Sequence, residues 1–449
     1  MTLGIPRRTL LRAGALGAAG LAVGPSLLRS PAAAAAPPAG LHLGLGRDAA
    51  RTVVVSWSTP GSVAGAVVDI GTDASYGLTL PVDSRGTAGH ETVYHHGVVR
   101  GLQPDTRYRY RVRHKGGPAV TGSFRTAPDR PRAFRFAAFG DMGVTADAAA
   151  VMGVLQKSRP DLAFLVGDLC YASPGGGLSE STAVNQAVWD SWLAQVSPSA
   201  AAVPWMPAVG NHEMEPGFGD LGYDGFLARF ALPGGGPSPT TWSFRYGNVG
   251  FVALDGNDAS HEIARNQGYL GAVQDQWLDR TLAALRRDPR VDFIVVGFHH
   301  CAFSTNAVHA SDGGVRDRWA PLFDKHAVDL VVNGHNHSYE RTAPIRDGAP
   351  TVEAPTGATV RARRDGTTYV LAGGGGQSAY PSALHPASYV TVEGGVRVPE
   401  AAPWSQVRFL DNSLVLVDVT PRTPGKPATM RLSAVDTQGV VVDRVTLEA

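Results

Sequence analysis

Up to about residue 128, short apolar runs are broken by turn residues; beyond it, buried-looking runs alternate with helix-length amphipathic stretches. The runs 52–58, 67–70, 92–99 and 108–112 are rich in β-branched and aromatic residues and read as strands, with turns such as Pro60-Gly61 between them. In 102–112 a Leu-Pro turn leads into a strand whose Tyr108, Tyr110 and Val112 share one face, because side chains alternate across a strand. A Pro- and charge-rich linker, 126–132, closes this all-β module. The pattern then changes. Apolar strand runs at 134–139, 161–166, 293–296 and 330–332 are each followed closely by Gly and then by Asp or His, with helices predicted at 146–156 and 273–286. This predicts a layered α/β domain that delivers polar groups at strand C-termini, where such folds bind ligands. From 367 the chain is mostly strand again: 407–410, 413–419, 430–436 and 440–447 read as antiparallel strands completing a second sheet of the same domain.

The early Trp57 and the late Tyr-rich strand make the first module similar to a fibronectin type III sandwich. The expected organisation is 1–36 as an export signal, 37–128 as that sandwich and 129–449 as the α/β domain. The signal rests on Arg7-Arg8 followed by Leu10-Leu11-Arg12, then an apolar stretch and the small residues 32–36. Gly residues and Pro25 break the apolar stretch, which makes it a poor spanning helix. The twin-arginine export machinery is therefore an expected partner, with a secreted or extracytoplasmic product and no stable membrane insertion after cleavage. Residues 1–36 hold four arginines and no acid, so cleavage takes the formal net charge from +1 to −3. Neither value gives a basic field for nucleic acid, which is not expected as a specific partner. Two cysteines, Cys170 and Cys301, cannot build a disulfide framework. Both flank strand ends, and a single disulfide and a pair of buried thiols are the two readings.

Five segments place hard or imidazole ligands just after apolar strands: Gly140-Asp141, Gly167-Asp168-Leu169-Cys170-Tyr171, Gly210-Asn211-His212-Glu213, Gly297-Phe298-His299-His300 and Gly334-His335-Asn336-His337. Singly, a strand-end Asp is more often a helix cap and a lone His a satisfied core group. Together they make a donor set able to hold two cations about 3.5–4 Å apart. Phenolate is a hard donor suited to a trivalent ion, so Tyr171 hints at Fe(III). No serine elbow or Walker loop appears, and the glycines 373–376 read as a tight turn.

The ordered set, with Tyr171 and the Ser338-Tyr339-Glu340-Arg341 that follows the last His, resembles the purple acid phosphatases among the calcineurin-like metallophosphoesterases. The resemblance implies a layered α/β/β/α metallophosphoesterase domain behind the all-β sandwich. It implies two metal ions, Fe(III) plus a divalent Zn, Mn or Fe. Asp141, Tyr171 and His337 would hold the first, Asp168 would bridge, and Asn211, His299 and His335 would hold the second. The spacing from Val296 favours His299 over its neighbour His300. His212 and His309 would contact phosphate and serve catalysis. Glu213, Asn333 and Glu340 are candidates to orient the ligands. The implied reaction is acid phosphatase hydrolysis of small-molecule phosphate monoesters by a metal-bound hydroxide. A phosphodiesterase or nucleotide hydrolase on the same metals is the alternative. Trp189, Trp192, Phe218, Tyr223 and Phe303 are read either as pocket walls or as packing.

Overall fold

The computed structural model describes residues 35–177, 183–215, 222–263, 266–380 and 387–449. The expected export signal lies outside them except for its last two residues, as does Phe218. Strands between Ala39 and Arg125 form two four-stranded antiparallel sheets. One runs Ala39–Leu45, Val53–Thr59, Val93–Val99, Asp83–Gly86; the other Leu78–Pro81, Val67–Gly71, Arg107–Arg113, Val120–Arg125. Along Arg107–Arg113 the alternation falls as its sequence predicts, with Tyr108, Tyr110 and Val112 buried and Arg107 and Arg109 exposed. Trp57 is buried on the facing sheet.

Two seven-stranded sheets follow. The first is ordered Trp205–Ala208, Leu162–Val166, Phe134–Phe139, Ser413–Thr420, Thr429–Asp436, Val441–Glu448, Thr359–Val360. The second is ordered Trp242–Tyr246, Val249–Ala253, Phe293–Gly297, Leu330–Asn333, Thr368–Ala372, Tyr339–Thr342, Ser405–Phe409. Trp205–Ala208, Leu162–Val166 and Phe134–Phe139 in the first sheet, and Val249–Ala253, Phe293–Gly297, Leu330–Asn333 and Thr368–Ala372 in the second, are parallel and almost wholly buried, so they read as mainly apolar runs. Phe136 and Phe164 pack with Phe251 between the sheets, whereas Phe139 and Leu165 face an outer layer containing Val151, Leu155, Trp189 and Trp192. Leu278, Leu282, Trp319 and Phe323 cover the outside of the second sheet. The result is the expected all-β domain followed by an α/β/β/α layered domain.

One expectation is corrected. Of the C-terminal strands only Ser405–Phe409 joins the second sheet, pairing antiparallel with Tyr339–Thr342, and the strands after it go to the first. Ser413–Thr420 pairs antiparallel with Phe134–Phe139, placing Val417 opposite Phe136, and the next two strands extend that sheet. An open edge beside Phe134–Phe139 would leave its backbone groups unpaired, and the returning chain closes it. The second sheet is instead assembled between residues 242 and 409, through strands at 242–246 and 249–253 that periodicity did not single out. The hydrophobic core is continuous from Leu41, Leu43 and Trp57 of the sandwich to Phe136 and Phe251, and residues 35–449 form one compact unit.

Candidate metal centre

Parallel strands deliver their C-terminal ends to one place, and each candidate ligand follows such an end. Asp141 follows Phe134–Phe139, Asp168 and Tyr171 follow Leu162–Val166, and Asn211 opens the turn after Trp205–Ala208. His299 follows Phe293–Gly297, and His335 and His337 follow Leu330–Asn333. The backbone turns hard there: Asp141, Asp168, Tyr171 and His335 have φ of 59°, 52°, 61° and 75°. Non-glycine residues avoid this region, and such strain concentrates at functional sites. The glycines permit the crowding. A Cβ on Gly210 would stand 2.2 Å from Asp168 Oδ1, and one on Gly373 would stand 2.1 Å from the Asn336 carbonyl oxygen. The 373–376 run is thus a close-approach segment beneath the site rather than a nucleotide loop.

The side chains converge. Tyr171 Oη lies 3.0 Å from His337 Nε2 and 3.3 Å from Asp141 Oδ1. His337 Nε2 is 3.6 Å from Asp141 Oδ1. On the other side His299 Nε2 is 3.1 Å from Asp168 Oδ2 and 3.2 Å from His335 Nδ1. Asn211 is buried and its amide nitrogen donates to the Gly176 carbonyl at 2.9 Å, while its Oδ1 has no hydrogen-bond partner.

Backbone carbonyls set the direction of three rings. His299 Nδ1–H donates to Val166 O at 2.8 Å, His337 Nδ1–H to Ser378 O at 2.9 Å and His212 Nδ1–H to Ser173 O at 2.6 Å. Because carbonyls only accept, each ring turns Nε2 toward the centre. His212 is further fixed by its backbone N–H on Asp168 Oδ1 at 2.8 Å, and its ring lies 4.3 Å from that of Tyr171. Glu213 is buried and accepts from the backbone N–H groups of Asp168, Leu169 and Gly210 at 2.7–2.8 Å. It therefore orients the Asp168 turn.

Charge follows from the same geometry. Burial opposes a charged His299, but the Asp168 and Asp141 carboxylates outweigh it and lift the imidazole to about 9. Asp141 is driven up by burial and by Asp168, whereas His299 and His212 keep Asp168 below the ordinary carboxylate range despite its burial. Burial pushes the Tyr171 phenol up, and pushes His337 down to about 4. Burial and the Asp168 charge raise Glu213 to about 7. A pocket that favours a cationic imidazole between two carboxylates is one that favours positive charge. The residues also pass a test of fit. The orphaned Asn211 oxygen needs an electropositive partner, and a bound cation would take the place of the His299 Nε2 proton, which otherwise faces Asp168 Oδ2 and His335 Nδ1. Carboxylate, phenol, amide and imidazole are donors that suit hard and borderline metal ions.

Other expectations fare differently. Cys170 and Cys301 are both free and buried, so the disulfide reading fails; Cys301 donates instead to the Gly334 carbonyl at 2.8 Å. Trp189, Trp192, Tyr223 and Phe303 are packing residues, each at most 3% exposed. Asn333 donates to Phe298 O at 3.0 Å, which steadies the strand end before His299. Glu340 does not reach a ligand: it accepts from Thr305 and Ser405, anchoring the segment ahead of His309. Tyr339 and Arg341 bind Asp443, an ion pair buried in the core. His300 is buried against the His335 ring at 4.6 Å with neither ring nitrogen hydrogen-bonded. His309 does join the site. Its ring lies 3.8 Å from that of His335, and its Nδ1 lies 3.1 Å from Glu262 Oε2. Two neighbours carried no sequence signal, because no strand run or adjacent motif marks them. Glu262 also meets His335 Nε2 at 2.9 Å, and Tyr380 stacks on His337 at 3.9 Å.

Residues 38–126 match the purple acid phosphatase N-terminal domain and residues 134–339 the calcineurin-like phosphoesterase family. An uncharacterized protein of Mycobacterium tuberculosis is 34% identical over 99% of this chain and 96% of its own length. Purple acid phosphatase 23 of Arabidopsis thaliana is 30% identical over 56% of this chain and 57% of its own. The fold is shared with a purple acid phosphatase from yellow lupin seeds (TM-score 0.74, 22% identity, 92% of this chain and 74% of that one). With both domains matched in order and the donor set assembled between the sheets, the chain belongs to the purple acid phosphatases of the calcineurin-like phosphoesterase superfamily and is a metal-dependent phosphoesterase, in a fold that implies two metal ions.

Proposed function

We propose that the protein is an acid phosphatase that hydrolyses phosphate monoesters at an Fe(III)–divalent metal pair. The observation that carries this is Tyr171 Oη, within 3.3 Å of both Asp141 Oδ1 and His337 Nε2, which supplies a phenolate donor for a trivalent ion. Asp141, Tyr171 and His337 would hold that ion, Asp168 would bridge, and Asn211, His299 and His335 would hold the divalent one. Bound there, the two cations would neutralise phosphate oxygens and make a water acidic enough to act as nucleophile near or below neutral pH.

The chain's own groups do the rest. His212 keeps Nδ1–H on Ser173 O, so Nε2, once protonated to the imidazolium, would be the atom that gives its proton to the departing alkoxide and reverts to a lone pair. His309, with Nδ1 engaged by Glu262, would offer Nε2 to the phosphate. Glu213 holds the Asp168 turn so that the carboxylate stays within reach of both metal positions. The twin-arginine segment would export the folded, metal-loaded enzyme. Among the described residues no helix is long and apolar enough to cross a membrane.

Hydrolysis of p-nitrophenyl phosphate, metal content and a visible spectrum on one purified sample test the reading, with Asp168→Ala as control. Turnover lost in the variant, two metals per chain and a tyrosinate–iron band are expected. Turnover without iron or colour would remove Tyr171 from the first metal. Diester or nucleotide turnover without monoester turnover would transfer the proposal to a phosphodiesterase.

A further inference from the structure

His335 is oriented differently from the other imidazoles of the centre. His299, His337 and His212 are each fixed by a backbone carbonyl on Nδ1 and present Nε2. His335 presents Nδ1, the atom 3.2 Å from His299 Nε2, and its outer nitrogen is met by a side chain, Glu262. One carboxylate oxygen, Glu262 Oε2, lies 2.9 Å from His335 Nε2 and 3.1 Å from His309 Nδ1. A carboxylate only accepts, so both rings direct N–H at it. That leaves His335 a lone pair at Nδ1, inside the centre, and leaves His309 its Nε2.

We propose that Glu262 is a positioning residue that sets the tautomers of His335 and His309 together, and so ties affinity for the second metal to the orientation of the substrate-side histidine. The inference rests on the binuclear reading above. Glu262 is itself held. Its backbone N–H donates to Ser260 Oγ at 3.0 Å, and Ser260 Oγ–H donates to Asp312 Oδ2 at 2.6 Å. The Arg397 guanidinium stands 3.8 Å from Glu262 Oε1 while donating to the carbonyls of Ala307 and Val308, next to His309. The carboxylate is only 9% exposed. An open cleft of about 290 Å³, lined by Glu262, Val308, His309, Thr391, Gly395 and Arg397, reaches this pair from solvent. The same three groups, Glu262, His309 and His335, are close enough to hold a cation of their own. The neighbouring guanidinium and the two N–H donors argue for the hydrogen-bonded arrangement.

The test is a chelator titration of the metal-loaded enzyme, following each metal by elemental analysis, for wild type, Glu262→Ala and Glu262→Gln. Loss of a carboxylate that orients a ligand weakens metal binding about 10- to 100-fold. Glu262→Ala is therefore expected to release one of the two metals at correspondingly lower chelator and to keep the other as wild type does. Glu262→Gln retains a carbonyl acceptor of the same reach and should hold both nearly as wild type does. An unchanged release curve for Glu262→Ala overturns the inference. So does equal loss of both metals with a lowered melting temperature, which is what a purely structural role would give. A third metal in wild type that disappears in Glu262→Ala overturns it in favour of a cation site. Fewer than two metals in wild type would instead sink the binuclear reading itself.

Discussion

At the scale of single residues, the proposed function rests on side chains aimed by very local contacts. His212 shows this best: two hydrogen bonds, from Nδ1 and from its backbone N–H, fix a ring that stands beside Tyr171. General acid–base groups contribute about 10²- to 10⁴-fold. His212→Ala should lower kcat by that order while the protein retains two metals, read by steady-state kinetics with metal analysis. Loss of a metal along with activity would make His212 a ligand-holding group instead. Asp255 offers a second test. Burial raises it to about 6 from 3.8, against the lowering effect of donors on Tyr269, Tyr223 and Thr240. A carboxyl whose folded pKa is raised stabilises the fold while protonated, and that contribution is lost as pH rises from about 4 through about 6. The full effect is roughly 3 kcal/mol at 1.36 kcal/mol per unit. Asp255→Asn cannot ionise. Its melting temperature should gain on wild type between pH about 4 and 7, and a parallel pair of curves would refute the assignment.

Between elements, the two sheets are tied by charge as well as by apolar packing. Arg341, on Tyr339–Thr342 of the second sheet, and Asp443, on Val441–Glu448 of the first, are both at most 1% exposed. Their bonds of 2.6 and 3.1 Å are joined by one from Tyr339 Oη at 2.7 Å. Removing one partner of a buried pair strands the other charge and costs about 3–5 kcal/mol. Asp443→Ala is expected to lose that much in denaturant melts, with residual activity per folded molecule unchanged, since neither residue reaches the proposed metal ligands. The Tyr-Glu-Arg segment that helped to mark the family in the sequence is thus a structural signature. Its meaning was not legible locally, because Asp443 is 102 residues away. Strands with continuous apolar runs, such as Leu162–Val166 and Phe293–Gly297, were legible because burial on both faces demands that composition. Their partners were not, since ladder pairing carries no residue code.

For the whole molecule, the sandwich and the α/β domain meet through a shared core. Leu41, Leu43, Trp57 and Tyr110 belong to the same cluster as Phe136 and Phe251. Polar contacts cross as well: Tyr110 Oη donates to Ala201 O at 2.6 Å, and His42 Nε2 and His96 Nε2 lie 2.9 Å from the carbonyls of Arg229 and Ala228. Residues 35–449 should therefore unfold in a single calorimetric transition. Trp57→Ala, costing about 3–5 kcal/mol, should shift that transition rather than split it. Two resolved transitions would show that the sandwich is energetically independent.

The sequence by itself determined the two kinds of domain, the strand ends that converge and the candidate donor set they carry, because hydrophobic period and the pairing of Gly with Asp or His are properties of neighbouring residues. Only the tertiary structure decided the rest. It left Cys170 and Cys301 as thiols, sent the strands from Ser413 onward to the first sheet, made the described aromatic candidates core and brought Glu262 to His335 and His309. Each of these depends on distances between residues far apart in the chain, which are set by how whole layers pack and not by any local pattern of side chains.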